Sequence, residues 1–425
     1  MNINWHNLLS YGEYSREGAD WTEAFRLAAE DLKALGGGTL YIPAGIYPTR
    51  SIELVSNITL YLDNGAVIRF RDDFEQYELV ETEAEGRRSL TYKPLIFADH
   101  AENITITGQG MLDGNGPRWW QAQKDRSLAY SRPCMLHFQY CRNIRLENIT
   151  ITRSPFWTVH PLYCDSMTIT GVTIINPPDS PNTDGIDPDG TRNLRITGCT
   201  IDVGDDCIAI KSGTEETPAP RPSENISITG CTMLHGHGGV VLGSEMSGGV
   251  RNIAISNCVF YETDRGIRIK TRRRRGGAVE DITVTNIVMD RVLCPFVINL
   301  FYWGGKIGKQ PFVRDRNPHP VDQTTPVVRN ILFENIAARN VSSAAGFLYG
   351  LPERFIENIR FSGCSISMDP SAEPQLPAML EGIEPMRASG FFVRNAAGIV
   401  FQNVSVQDVR GSVYDLDATA GVAIR

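Results

Sequence analysis

Residues 182–190 read NTDGIDPDG and place Asp184, Asp187 and Asp189 within six positions. Further along come Asp205 and Asp206 in GDD (204–206), His237 in GHG (236–238), and Arg268 and Lys270 in RIK (268–270). Neighbouring carboxylates raise one another's cost of ionisation, so one can keep a proton while another stays charged. Such a set suits hydrolysis of a glycosidic bond, in which one carboxyl protonates the leaving oxygen and another attacks or activates water. Two cations beside the acids favour a substrate that is itself a carboxylate, which a neutral sugar polymer would not require.

Each segment has a plainer reading when taken alone. Asn-Thr-Asp-Gly is ordinary turn chemistry, because Asn and Asp bond their own backbone and Gly accepts positive φ. GDD could cap a turn or take calcium, and the run RGIRIKTRRRR (265–275) could be a solvated face or a nucleic-acid patch. The case for chemistry is that all four fall in register once the chain is folded.

That register comes from a repeat. NLRITGCTI from Asn193, NISITGCTM from Asn225, NIAISNCVF from Asn252 and NIRFSGCSI from Asn358 each begin with Asn, alternate β-formers, and carry Cys six positions on. Weaker copies start at Asn103, Asn143, Ser166, Asp281 and Asn330, and the starts 166, 193, 225, 252 and 281 give a spacing of 27 to 32 residues. Alternation with period two and regular turns predict an all-β chain, a parallel β-solenoid whose equivalent positions stack about 4.8 Å apart. Cys199, Cys231, Cys258 and Cys364 then form an internal ladder of small apolar side chains, and the leading asparagines form a turn ladder. Asp205 and His237 both lie twelve positions after their repeat starts, Arg268 and Lys270 share a face of the next coil, and Asp184 falls opposite Asp206.

One domain is expected over 1–425, with 1–50 as an N-terminal cap and first strand. The stretch DWTEAFRLAAEDLKALGGG predicts the capping helix, with Asp20 as N-cap, Glu23 three residues on and a glycine stop. Loops are expected at about 75–98, 113–133 and 303–327, where aromatic and cationic excursions interrupt the coils.

The net charge of −8 disfavours a globally basic nucleic-acid binder, and no stretch reaches the roughly 18 apolar residues of a membrane helix. Nine cysteines without framework or metal spacing point to reduced thiols, and with no secretory leader legible at the N-terminus the expected location is cytoplasmic, or secreted if a leader was removed. No cofactor, metal, nucleic acid or membrane partner is called for; the partner that the acids and cations call for is an anionic sugar polymer.

NTDG, GDD, GHG and RIK, in this order and spacing, resemble the four signature segments of the polygalacturonase family, glycoside hydrolase family 28. The resemblance implies a right-handed parallel β-helix and inverting hydrolysis of α-1,4-galacturonosyl linkages. It implies Asp205 as general acid, Asp184 and Asp206 as carboxylates that hold and activate water, His237 as a tuner of the acid, and Asn182 as hydrogen-bonding support. Arg268 and Lys270 would bind the galacturonate carboxylate, and Tyr302, in INLFYWGG, resembles a subsite tyrosine. SEMSGGVRNI, DRGIRIKTRRRRGG and YGLPE resemble the bacterial branch that acts from the non-reducing end, for which Glu245, Arg272 and Arg273 are candidate chain-end contacts. The alternatives are an endo-acting or rhamnogalacturonan-type hydrolase, a calcium-dependent pectate lyase, and a pectin-binding β-helix without turnover.

Overall fold

The structure, a computed structural model, describes residues 4–12 and 19–425. The chain divides into two compact units, one of residues up to 84 with 88–205, the other of 85–87 with 206–425. Each is built from parallel coils, and the fold is a right-handed parallel β-helix.

In the first unit the strands Gly38–Ile42, Ile58–Leu62, Glu102–Gly108, Arg142–Glu147, Asp165–Thr170 and Arg192–Thr197 pair in succession, all parallel. A second face runs in the same way through Gly45–Thr49, Ala66–Phe70, Met111–Asp113, Thr150–Thr152, Thr173–Ile175 and Thr200–Val203. A third face stacks Ile52–Glu53, Ile96–Asp99, Leu136–Gln139 and Val159–Leu162, and isolated bridges join Val159 to Ile186 and Leu162 to Asp189. The acidic segment is therefore the next rung of that face.

In the second unit the corresponding rungs are Asp206–Ile210, Gly238–Gly243, Arg265–Lys270, Cys294–Asn299 and Ala344–Tyr349. Its core shows why alternation matters. Ile226, Ile253, Ile282, Ile331 and Ile359 pair in register over five coils, and Phe333 and Phe361 stack two residues further along with centroids 4.9 Å apart. Because side chains alternate across a strand, a slip of one residue would turn every one of these outward.

The asparagine ladder takes the predicted role. Asn103, Asn143, Asn193, Asn225, Asn252, Asn330 and Asn358 all adopt positive φ, as Ser166 and Asp281 do. Asparagine tolerates that conformation better than other side chains, and its amide donates a hydrogen bond to the preceding coil: Asn143 Nδ2 to Asn103 Oδ1 at 2.7 Å, and Asn103 Nδ2 to Asn57 Oδ1 at 2.7 Å. All nine cysteines are free and buried.

The helix spans Thr22–Ala34 and buries Ala24, Phe25, Ala28, Ala29 and Leu32. Asp20 stands one residue ahead of the N-cap position rather than on it; its carboxylate still accepts from the Thr22 amide at 3.0 Å. The excursions are not bare loops: they contain the strands Leu79–Ala84 and Arg87–Tyr92, the helix Pro117–Lys124, and the short helices Gly305–Gly308 and Pro311–Arg314.

Candidate active site

In the first unit, the segment carrying Asp184 is fixed by its backbone. The Thr158 amide donates to the Asp184 carbonyl (2.9 Å), the Val159 amide to the Gly185 carbonyl (3.0 Å), and the Asp187 amide back to Val159 (2.8 Å). Asn176 Nδ2 reaches both Thr158 Oγ1 and the Thr183 carbonyl, so the turn before Asp184 is held from inside. Arg132, which sequence reasoning missed, is buried and donates to the Pro155 and Pro181 carbonyls and to Asn182 Oδ1 at 2.8 Å. Asn182 is itself exposed, with positive φ, and its side chain is oriented by that guanidinium.

Asp184 is almost fully buried, Asp205 is half-buried, and carboxylate oxygens of the two lie within 4.8 Å of each other. Gly204 is required beside them: a Cβ there would meet the Ser180 carbonyl at 2.4 Å and that of Pro177 at 2.7 Å. Asp187 and Asp189 are completely buried on the same segment.

In the second unit, Asp206 pairs with Gly238 across the sheet, the register that aligning the repeat starts demands, so His237 immediately precedes a rung. His237 is exposed, whereas Arg268 and Lys270 are buried on the following rung. Lys270 Nζ donates to Asp206 Oδ2 at 2.7 Å and Arg268 Nη1 to Oδ1 at 3.2 Å. Burial works against the charge on Asp206, but Lys270 and then Arg268 outweigh it, with Lys211 adding to them, and the carboxyl is held well below the usual carboxylate range. Gly238 permits this approach, since a Cβ on it would lie 2.4 Å from Val241 Cγ2 and 3.2 Å from Asp206 Oδ1.

Tyr302 belongs to the same group. Its amide donates to the Thr271 carbonyl at 3.0 Å, and its ring centroid lies 5.4 Å from Lys270 Nζ and 5.9 Å from Arg268 Cζ. The ring also lines a pocket of about 320 Å³ whose other walls include Glu215, Glu245, Arg272, Arg275 and Lys306. Glu245 sits 3.9 Å from Lys211; burial opposes its charge, but Lys211 and Arg275 hold its carboxyl below the ordinary value.

The arginine run is mostly not a solvated face. Arg272 donates to Glu215 Oε1 at 2.6 Å, Arg275 pairs with Glu215 Oε2, and both face the pocket. Arg273 does not line it: this side chain is buried in a bidentate pair with Glu353 (2.6 and 2.9 Å) and donates to the carbonyls of Phe312, Asp315 and Asn317. These bonds anchor the 312–317 segment to Arg273. Arg275 and Glu215 were missed by sequence reasoning; Arg275 stood in the conspicuous run, whereas Glu215 lies in a stretch without any motif.

The family model described as glycosyl hydrolases family 28 matches residues 74–371. A probable polygalacturonase of Vitis vinifera is 35% identical over 376 residues, which is 85% of this chain and 74% of that protein. The chain spans about half the length of other plant polygalacturonases it matches. An endo-polygalacturonase of Pectobacterium carotovorum is 29% identical over 61% of this chain and 66% of its own. Among solved structures, a hyperthermoactive exopolygalacturonase from Thermotoga maritima superposes with a TM-score of 0.80 at 30% identity, covering 95% of this chain and 91% of that one. No helix among the described residues is long and apolar enough to cross a membrane. Sharing its fold and most of its length with these proteins, the chain belongs to glycosyl hydrolase family 28, among the polygalacturonases.

Proposed function

We propose that the protein hydrolyses α-1,4-galacturonosyl linkages of polygalacturonate and its oligomers, releasing sugar from the non-reducing end. The observation that carries the end-directed part is the pocket of about 320 Å³ that Tyr302 shares with the buried cations. Its size is at the small end of the range for ligand pockets, which suits a short saccharide rather than a chain running through. Arg272, Arg275 and Lys306 supply positive charge for a uronate carboxylate, while Glu215 and Glu245 supply acceptors for hydroxyls. The likeness to the Thermotoga exopolygalacturonase supports this reading.

In this reading Asp205 protonates the leaving oxygen, and Asp184 and Asp206 hold the attacking water. Asp206 is suited to the role because Lys270 and Arg268 keep it charged. The same cations, with Tyr302 beside them, receive the galacturonate carboxylate, and His237 takes the part the family resemblance gives it, a tuner of the acid. Inversion rests on the family resemblance, in which the two water-holding carboxylates work opposite the acid. A polymeric pectic substrate is met outside the cell, which favours an extracytoplasmic place of action over the cytoplasmic one suggested by the sequence.

A second reading, endo action, is favoured by the Pectobacterium relative. A timed digest of de-esterified polygalacturonate, with and without chelator, separates the two. Saturated monogalacturonate from the first time point supports end-directed hydrolysis, and a spread of oligomers supports endo action. Unsaturated ends, or no products at all, would remove hydrolysis itself. Proton NMR of the first-formed anomer decides the stereochemistry.

A further inference from the structure

Beneath the acidic segment, in the first unit, lies a group of side chains that the proposed reaction does not use. His137 and His160 are direct partners on adjacent rungs, and both are buried. Their Nδ1 atoms face each other at 2.9 Å, and Cys134 Sγ is 3.9 Å from His160 Nδ1. One ligating atom from each of the three lies within 4.8 Å of the others. Apolar rings wall the group, with Phe97 stacked on His137 at 6.0 Å and Trp157 edge-on to His160 at 4.9 Å.

The outer nitrogens decide what the inner ones present. His137 Nε2 lies 3.4 Å from Gln139 Oε1, a carbonyl oxygen that calls for a proton on that nitrogen. His160 Nε2 faces the Asp189 carboxylate at 3.8 Å, which favours a proton there too. With both protons outside, the two Nδ1 lone pairs converge on one point, as two ligands of a shared cation would. A buried carboxylate, Asp189, stands 3.8 Å behind the His160 ring, on the side away from the facing nitrogens.

We propose that Cys134, His137 and His160 form a binding site for a soft divalent transition-metal ion, of which zinc is the best fit. One thiolate and two imidazoles are a zinc-type ligand set, and a carboxylate behind a ligating histidine is a recurring support for it. Tetrahedral zinc with ordinary bond lengths asks for about 3.4 Å between two nitrogens and about 3.6 Å between nitrogen and sulfur. The observed 2.9 and 3.9 Å are each within about half an ångström of these. On loading, the Cys134 S–H bond breaks, its proton passes to the medium, and a metal–sulfur bond forms with no change of oxidation state. The ion ties the rungs Leu136–Gln139 and Val159–Leu162, and the latter holds the Asp184 segment through its backbone. Its role is thus structural support for that segment.

The test is to refold the full chain with zinc sulfate, remove loose metal by desalting, and measure zinc by mass spectrometry; about one equivalent per chain is expected. Refolding with cobalt should give the near-ultraviolet thiolate-to-cobalt charge-transfer band, a readout independent of turnover and of any variant. Cys134→Ser should abolish the band, and His137→Gln should lower metal content at least about tenfold. Folded wild-type protein with less than about a tenth of an equivalent overturns the proposal. So does cobalt bound without the thiolate band, or metal content indifferent to both substitutions, since the ion would then sit on carboxylates elsewhere.

Discussion

Replacing Asp206 by Asn should expose how much of the second unit's stability hangs on one carboxylate. The side chain is 1% exposed and receives charged hydrogen bonds from Lys270 at 2.7 Å and Arg268 at 3.2 Å. At an effective dielectric of about 20, each contact is worth roughly 5–6 kcal/mol of gross attraction. Desolvation of the three groups offsets much of that, but Asp206→Asn leaves the desolvation of two buried cations and removes their compensation. Breaking a buried pair from one side costs about 3–5 kcal/mol, and that is the loss expected here. Urea unfolding followed by tryptophan fluorescence and circular dichroism reads it as a lower midpoint at unchanged slope. Adding Lys270→Met removes one of the stranded cations, so the double variant should regain at least about 1 kcal/mol over Asp206→Asn. A single-variant loss under about 1 kcal/mol, or a double variant less stable than Asp206→Asn, would refute the view that these cations are held by this carboxylate.

Asp205→Asn should keep the fold and lower turnover of oligogalacturonate by about 10²-fold or more, the usual scale for a lost general acid; near-normal rates in a folded protein would sink that assignment. Because the folded-state pKa of Asp206 is depressed, its contribution to stability is complete above the unfolded carboxylate value of about 3.9 and is lost as pH falls through the folded value. A denaturation midpoint measured from pH 7 down to 3 should therefore owe none of its decline above about pH 5 to this group, and the wild-type and Asp206→Asn curves should converge only in acid. Arg273→Ala should destabilise the 312–317 segment, seen as faster amide exchange there, while Arg272→Ala should raise KM for short oligomers; equal KM effects would mean that Arg273 also meets substrate. Gly238→Ala puts a methyl against Val241 and Asp206 and should cost about 1–3 kcal/mol of stability together with activity; a neutral result would show that the sheet yields there.

What the sequence by itself determined was whatever repeats. Period-two alternation imposed strands, the recurrence of about 27 to 32 residues imposed coils, and the leading asparagines marked the positive-φ corners that the structure shows at Asn103, Asn193 and Asn225. The spacing from Asn193 and Asn225 also set the register of Asp206 with Gly238, because in a coil the neighbour of a residue is the same position of the next repeat. The sheet thus brought Asp206, Arg268 and Lys270 together as their offsets demanded.

Tertiary structure alone decided the contacts made by segments that leave the repeat. Nothing in RRRR at 272–275 says that Arg272 and Arg275 turn to Glu215, 57 and 60 residues away, while Arg273 turns to Glu353, 80 residues away on the other side. Nor does the sequence announce that Cys134, in a non-repeating stretch, meets His137 and His160. The physical reason is the same in each case. A coil position inherits its neighbours from a ladder of backbone hydrogen bonds, whereas an excursion finds its partners through burial of charge and side-chain packing, which depend on how the loop closes and not on any local period.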